Sequence, residues 1–362
     1  MPFSRSIRKE KGRKQCYNDP VRNQEESSMR EVKAATDGNI YVPYEQRTGN
    51  ESIVYFTRDL SPAGIRKAYE KVNGNIFGKV AVKLHTGEKN GPNIVPSAWV
   101  KELFETTESL KDATIVETNT YYEGDRYTTK QHLETLKVNG WTFCPVDIMD
   151  AEGTVDLPVK GGKWFDHMTH GKTMTNYDSL FTLTHFKGHV QGGFGGSNKN
   201  IGIGCADGRI GKAMIHTREG EGQWSVREEE LMEKITESTK ATIDFFGKHV
   251  TYVNVMRNMS VSCDCEGVLA APVVTPNVGI LASTDICAID TACVDLVHAM
   301  TEEQHHDLWE RMQSRHGFRQ LTYMKELGMG NDRYILIDLD NDEVRITPKE
   351  AVKDVKPFKL VV

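Results

Sequence analysis

The sequence predicts an α/β protein of two lobes with mostly parallel sheets and a cleft between them, preceded by a non-globular N-terminal arm. From about residue 52 onward, short apolar segments typical of strands alternate with longer segments of helical periodicity. The chain has 362 residues, which is long enough for two ordinary domains. We expect the arm to span residues 1–50, the N-terminal lobe 51–155 and the second lobe 156–362.

The predicted arm differs in composition from the rest of the chain. Its first fourteen residues carry six basic side chains and one acidic side chain, and apolar residues are sparse. Such a segment is typical of a flexible or partner-wrapping arm, which leaves a homo-oligomer built through it open. Met29 is an alternative start of the chain.

The overall composition argues against a nucleic-acid-binding protein and against a membrane protein. A net charge of −6 argues against nucleic acid as a partner. No apolar run approaches the roughly 18 residues that a membrane helix needs, and no signal-peptide core follows the basic start, so we expect a cytoplasmic protein without a membrane partner. Seven cysteines without a regular framework suit free thiols, some of them candidate metal ligands.

The predicted elements follow from periodicity and from turn residues. The predicted strands cover 52–56, 79–84, 113–118, 141–149, 179–186, 249–256 and 279–283, with two short strands within 332–348. The predicted helices cover 61–73, 96–110, 128–140, 226–247 and 285–300. Cys287 and Cys293 share the apolar face of the last helix, so we expect both to be small core residues.

Residues 185–216 form the most distinctive segment, because glycines recur there between histidine, lysine and cysteine side chains. Glycine lets the backbone approach a ligand closely. We therefore expect a bound cofactor beside the backbone of four of these glycines, and a plain turn is the alternative. The four are Gly192, Gly193, Gly195 and Gly196.

Two side chains of this segment are candidate catalytic residues. Imidazole is the natural proton shuttle near neutral pH, so His189 is a candidate general acid or base. Lys199 follows the glycines closely enough to reach the same ligand, as a cofactor anchor or as a cation for a carboxylate. His185 precedes His189 by four residues, but this spacing makes a metal pair only on a helix, which the glycines do not favour.

The Cys263-Asp264-Cys265 motif is a candidate metal or redox site. Two residues apart on an extended chain, both sulfurs face the same side, which suits two thiolates on one soft metal or a dithiol; a structural role is the alternative. Four-iron clusters usually need C-x-x-C runs, which this chain lacks, so a four-iron cluster is not expected.

A group of polar residues follows two predicted strands of the first lobe. His85, Lys89 and Asn90 come after one strand and before a helix, and Arg126 lies in the next such segment. In parallel sheets ligands bind at the carboxyl ends of strands, and a helix N-terminus favours anions. The sequence therefore predicts a small ligand that carries phosphate or carboxylate.

Several motifs together resemble the domain-of-unknown-function 362 family, whose members are often described as iron–sulfur centre proteins. The motifs are VAVKLHTGE (80–88), ETNTYYEGDR (117–126), THFKGHVQGGFGGSNKNIGIGCADGRIGKAMIH (184–216), CDC (263–265) and GILASTDICAIDTAC (279–293). Many members carry a ferredoxin-like cysteine insertion after the glycine segment. Residues 219–247 of this chain contain no cysteine, so the resemblance does not imply a cluster here.

The order of motifs also looks, more distantly, like the nickel-pincer lactate racemase family, which joins a nickel-bearing pincer nucleotide to a lysine. The resemblance implies a shared fold, with Lys199 at the cofactor lysine and His216 at a metal-ligating histidine. It places His85 and Lys89 where that family holds cofactor phosphate. This sequence departs from the family at Asp125, which stands where a second catalytic histidine is expected.

Two function classes follow. The first is an uncharacterised enzyme, assisted by a metal or cofactor, that acts on a small anionic substrate by racemase- or isomerase-like proton transfer. Its catalytic residues would be His189, Lys199 and Arg126, with His216 as a metal ligand. The second is a metal-binding or iron–sulfur-type redox accessory protein. Nickel and iron are the candidate metals, and the ligands of the second class would be His185, Cys205, Cys263 and Cys265.

Overall fold

The computed structural model describes residues 38–358, so most of the predicted arm, residues 1–37 with Met29, lies outside the described residues. The strands are β1 Ser52–Thr57, β2 Val80–Lys83, β3 Thr114–Glu117, β4 Val146–Ile148, β5 Thr154–Pro158, β6 His167–Gly171, β7 Ser179–His185, β8 Lys187–His189, β9 Gly193–Gly195, β10 Val250–Met256, β11 Gly279–Ser283, β12 Tyr334–Asp338 and β13 Val344–Ile346. The helices are α1 Pro62–Tyr69, α2 Ser97–Thr106, α3 Thr129–Val138, α4 Ser197–Gly204, α5 Gly211–His216, α6 Glu228–Phe246, α7 Ile286–Ala299, α8 Glu302–Ser314, α9 Arg319–Glu326 and α10 Pro348–Val352.

One nine-stranded sheet organises the described residues, in the order β13-β12-β1-β11-β10-β7-β2-β3-β4. Neighbouring strands from β10 to β4 run parallel, and β12 pairs with β1 in parallel. Strand β11 is antiparallel to both its neighbours. The prediction of an α/β protein with a mostly parallel sheet is therefore confirmed.

The sheet is covered on both faces, and its side chains explain this arrangement. Along β7, Leu180 points into one apolar cluster, whereas Phe181 and Leu183 point into the other. One cluster packs under α1, α2 and α3, and the other under α4, α6 and α7. Strands that are apolar on both faces are typical of parallel sheets between helices.

The sheet is continuous across the predicted lobe boundary at residue 155. Strand β1 comes from the predicted first lobe, yet it lies between β11 and β12 of the second. Strand β2 likewise pairs with β7. Residues on both sides of the boundary therefore complete the same hydrogen-bonded layer.

The last part of the predicted arm is packed against the core. Tyr41 donates a hydrogen bond to Asp295 of α7 at 2.8 Å, and the Arg47 guanidinium contacts the same carboxylate at 2.7 Å. The side chains of Arg47 and Asp295 are almost fully buried. The expectation that residues up to 50 are non-globular is thus wrong for residues 38–50, because a buried ion pair anchors them.

The glycine-rich segment contains more regular structure than the sequence suggested. Strands β8 and β9 form a small antiparallel pair, and α4 begins directly after them at Ser197. Among residues 38–358 no helix is long and apolar enough to cross a membrane.

Parallel strands bring the chemically interesting segments to one edge of the sheet. The carboxyl ends of β10, β7, β2 and β3 lie side by side, because these strands are adjacent and parallel. The segments that leave these ends contain Cys263, His189, His85 and Arg126 respectively. This edge is where ligands bind in open α/β sheets.

Candidate functional site

The site is centred on the sulfur of Cys263, which caps the N-terminus of a short 3₁₀ segment, Asp264–Leu269, after β10. Lys199 Nζ, at the start of α4, lies 3.7 Å from Cys263 Sγ. The imidazoles of His85 and His189 and the thiol of Cys265 are also hydrogen-bonded to this sulfur. Three donors from other segments, and Cys265 from the same segment, therefore surround one buried atom.

Backbone contacts fix the orientation of both imidazoles. His85 Nδ1 accepts a hydrogen bond from the Gly87 N–H at 2.9 Å, and His189 Nδ1 accepts one from the Gly192 N–H at 2.8 Å. An accepting nitrogen carries no proton, so each neutral ring has its proton on Nε2. Nε2 is then the atom that donates to Cys263.

These contacts shift the pKa values of the two cysteines in opposite directions. The hydrogen bond from Cys265 lowers the pKa of Cys263 well below its usual value despite burial, and Lys199 and both imidazoles add to the effect. The same hydrogen bond, together with burial, raises the pKa of Cys265. Burial and the Lys199 charge lower the pKa of His189 to about 4, so its imidazole is neutral at pH 7.

Asp264, between the two cysteines, binds two side chains of the β7–β8 region. Its carboxylate contacts Lys187 Nζ and His185 Nδ1, each at 2.9 Å. His185 Nε2 contacts the Arg257 carbonyl oxygen at 2.6 Å. Both ring nitrogens of His185 are thus engaged, so the expectation that His185 ligates a metal is wrong for this conformation. Lys187 was not identified from the sequence.

Of the metal ligands predicted from sequence, the structure brings Cys263 and Cys265 together. The ligand atoms of Cys263, Cys265 and His189 all lie within 4.8 Å of one another. Cys205 is not part of this group; it ends α4 in the core, where burial raises its thiol pKa to about 12. The structure therefore separates Cys205 from the two thiols it was expected to join.

The predicted anion-binding residues already have partners. Arg126 Nε lies 2.9 Å from the Glu88 carboxylate, and Lys89 Nζ lies 3.2 Å from Asp125. Asn90 is exposed, and its backbone N–H is bonded to the Asn139 side chain. Carboxylates on adjacent loops thus pair with both cations, and a ligand that carries phosphate or carboxylate here stays a prediction.

Two of the four glycines of the predicted cofactor cradle, Gly193 and Gly196, make room for other parts of the protein. A Cβ on Gly196 would lie 2.5 Å from the Asp290 carboxylate, which accepts the N–H groups of Ser197 and Asn198. Gly193 has φ +73° and contacts the backbone of Gly317. The N-terminus of α4 is thus already capped by Asp290, and Gly192 and Gly195 are also buried.

The fold and this edge define the class of protein: an α/β protein with a cysteine-centred polar site at the carboxyl ends of parallel strands. The chain belongs to the family that shares a domain of unknown function, DUF362, whose model matches residues 80–295. The membership predicted from the motifs is confirmed. A comparison with curated proteins finds no match.

Two solved structures are distantly similar to this chain. The lactate racemase apoprotein from Thermoanaerobacterium thermosaccharolyticum is 12% identical with a TM-score of 0.33, over 87% of this chain and 88% of that one. A protein from Thermotoga maritima is 12% identical with a TM-score of 0.32, over 54% of this chain and 49% of that one.

Proposed function

We propose that the protein is an enzyme that moves a proton on a small anionic substrate, with the Cys263 thiolate as the base. The observation that carries this proposal is the convergence of four hydrogen-bond donors on one buried sulfur. A thiolate held in this way stays deprotonated at neutral pH, so the proton acceptor is present, although its lowered pKa makes it a weaker base than an unperturbed thiolate.

Each contact has a role in such a reaction. The thiolate takes a proton from the substrate and becomes S–H, and the same thiol returns the proton to another position of the substrate. Lys199 stabilises the negative charge that develops on substrate oxygen. His189, which the sequence suggested as the acid or base itself, is a positioning residue here, because its neutral ring donates to the sulfur.

The thiolate is tested by its ultraviolet absorbance in folded protein at pH 7. Cys263→Ser is expected to remove one equivalent of thiolate absorbance. Cys287→Ser is the matched control and is expected to remove none, because burial raises the pKa of Cys287. Equal absorbance in wild type and Cys263→Ser would contradict the proposal.

The reaction is tested by exchange of carbon-bound hydrogen in deuterated water, followed by NMR over a panel of small carboxylic acids. Exchange with at least one acid is expected for wild type, with a loss of about 10²–10⁴-fold in Cys263→Ser. Cys287→Ser is expected to exchange normally. No exchange with any acid of the panel would count against proton transfer.

A metal centre is the second candidate, favoured by the proximity of Cys263, Cys265 and His189. Two thiolates and an imidazole suit zinc, nickel or iron and leave a position for substrate, which the ion would polarise. The backbone N–H bonded to His189 Nδ1 opposes this arrangement, since it leaves the proton on Nε2.

Metal analysis of anaerobically purified protein separates the two candidates. One equivalent of metal in wild type and in Cys287→Ser, but none in Cys263→Ser, supports the metal centre. Wild type without metal, but with thiolate absorbance at pH 7, supports the thiolate enzyme.

A further inference from the structure

Lys212 on α5 is a buried cation without an ion-pair partner. Its Nζ donates to Thr118 Oγ1 at 2.8 Å and to the Asn119 carbonyl oxygen, and both acceptors are uncharged. Among the described residues no carboxylate oxygen lies within 4.0 Å of this nitrogen. A lysine ammonium has three N–H donors, so one remains for a further partner.

The carboxylates near Lys212 are bonded to other groups. Asp150 accepts the backbone N–H groups of Asn119 and Gly208, and Glu117 pairs with Lys83 at 2.8 Å. Burying a charge without a partner is costly. Lys212 is thus a buried ammonium group whose nearest carboxylates, Asp150 and Glu117, are bonded to other groups.

His216 lies one turn further along α5, on the same buried face as Lys212. Its Nδ1 is buried and has no hydrogen-bond partner among the described residues. The ring of Tyr121 is stacked parallel to it at 6.3 Å between centroids, and the Trp224 ring lies at 4.7 Å. The aromatic rings hold the imidazole in place and leave its nitrogen free.

The charges around His216 are positive. Burial, together with the positive charges of Lys199 and Lys212, lowers the pKa of His216 well below its usual value. This part of the site therefore adjoins the Cys263 cluster through His189 and Lys199.

We propose that Lys212 and His216 bind the carboxylate group of a small organic acid. One ammonium N–H and one imidazole N–H match the two oxygens of a carboxylate. A phosphate group would bury a third oxygen without a donor, which is unfavourable. That this acid is the substrate of Cys263 rests on the proposed function, whereas the carboxylate site itself does not.

Binding of propionate to the full-length protein, measured by ligand-observed NMR, tests the site. Wild type is expected to bind propionate but not propionamide, a neutral molecule of the same shape. Lys212→Gln keeps a donor without the charge, and His216→Phe keeps the ring without a donor. We expect binding to weaken at least tenfold in the first variant and severalfold in the second.

Lys234→Gln is the matched control, because Lys234 is a buried lysine paired with Glu230 at 2.9 Å. It removes the same charge and is expected to bind propionate as wild type does. Equal weakening in Lys212→Gln and Lys234→Gln would overturn the proposal, as would equal binding of propionate and propionamide. The amide comparison uses wild type alone, so it holds even where a variant fails to fold.

Two further binding measurements, with inorganic phosphate and with the Cys263→Ser variant, complete the test. Inorganic phosphate that binds more tightly than propionate, with the same dependence on Lys212, would overturn the carboxylate assignment. Cys263→Ser is expected to bind propionate normally, which supports a carboxylate site that does not require the thiolate. The carboxylate site is tested by propionate binding, whereas the proposed thiolate is tested by ultraviolet absorbance and hydrogen exchange. A failure of one proposal can therefore be told from a failure of the other.

Discussion

At the scale of single residues, ion pairing decides which charged side chains are available for chemistry. Arg126 and Lys89 are neutralised by carboxylates of adjacent loops, whereas Lys199 contacts a cysteine sulfur and Lys212 two uncharged oxygens. The sequence could identify Lys199, because it follows a strand and a run of glycines. Lys212 was missed, because only the folded structure shows which lysine lacks a carboxylate.

The Asp264 carboxylate gives a prediction with a defined pH dependence. Burial opposes its charge, but His185 and Lys187 outweigh burial and lower the pKa of Asp264 below its usual value of about 3.9. Asp264→Asn is expected to lower the free energy of unfolding at pH 7 by about 3–5 kcal/mol, because Lys187 is left buried and unpaired. Urea denaturation measures this difference.

The sign of the pH dependence follows from the lowered pKa. The stabilisation by Asp264 is complete above about pH 4 and is lost as the pH falls toward the folded-state pKa. The difference between wild type and Asp264→Asn should stay constant from pH 8 to pH 5 and narrow below pH 4. A difference that already closes at pH 6 would contradict this account.

Asp125→Asn is the control for Asp264→Asn, because Asp125 belongs to a more exposed ion pair, with Lys89. It should lower the free energy of unfolding by less than about 1 kcal/mol.

At the scale of elements, strands and long helices could be predicted from periodicity, but the short helices of the glycine-rich segment could not. Helix α4 contains Gly202 and Gly204, which lower helix propensity. It forms because Asp290, from α7, caps its first N–H groups and because it packs against α6. The cap comes from a residue about 90 positions away, so no local pattern indicates it.

This cap predicts different effects of two adjacent glycine substitutions. Gly196→Ala would place a Cβ 2.5 Å from the Asp290 carboxylate and force it off the helix terminus, at a cost of about 1–3 kcal/mol. Gly195→Ala is the control: its Cβ would meet the Lys187 side chain at 3.6 Å, an ordinary contact, at a cost below about 1 kcal/mol. Thermal unfolding compares the two, and equal shifts would show that Asp290 does not hold the position.

At the scale of the whole molecule, the order of the strands is the feature that sequence reasoning could not supply. Local periodicity predicts that β1 exists, but its place between β11 and β12 depends on pairings of residues 225 positions apart (Phe56 with Leu281) and 282 positions apart (Ser52 with Tyr334). The convergence of His85, His189 and Cys263 could still be expected in outline, because parallel strands deliver their carboxyl ends to one edge.

Asp295 is a buried carboxylate that helps to join residues 38–50 to the rest of the described chain, beside the ring contacts of Tyr41 with Trp309 and Phe318. Asp295 accepts hydrogen bonds from the hydroxyls of Tyr41 and Tyr334, at 2.8 and 2.7 Å, and pairs with the Arg47 guanidinium. Helix α7, strand β12 and the segment before β1 thus meet at one point. The Asp295 carboxylate is buried away from water, so its negative charge is stabilised mainly by the Arg47 guanidinium.

Arg47→Met is therefore expected to lower the free energy of unfolding by about 3–5 kcal/mol, since it leaves Asp295 buried without a counter-charge. Arg333→Met is the control, because its pair with Glu51 at 3.0 Å is more exposed and should contribute less than about 1 kcal/mol. Urea denaturation with linear extrapolation measures both. The double variant Arg47→Met/Asp295→Asn should regain part of the loss, because the unpaired charge is gone. Wild-type stability in Arg47→Met would show that the Arg47–Asp295 pair does not hold residues 38–50 against the core.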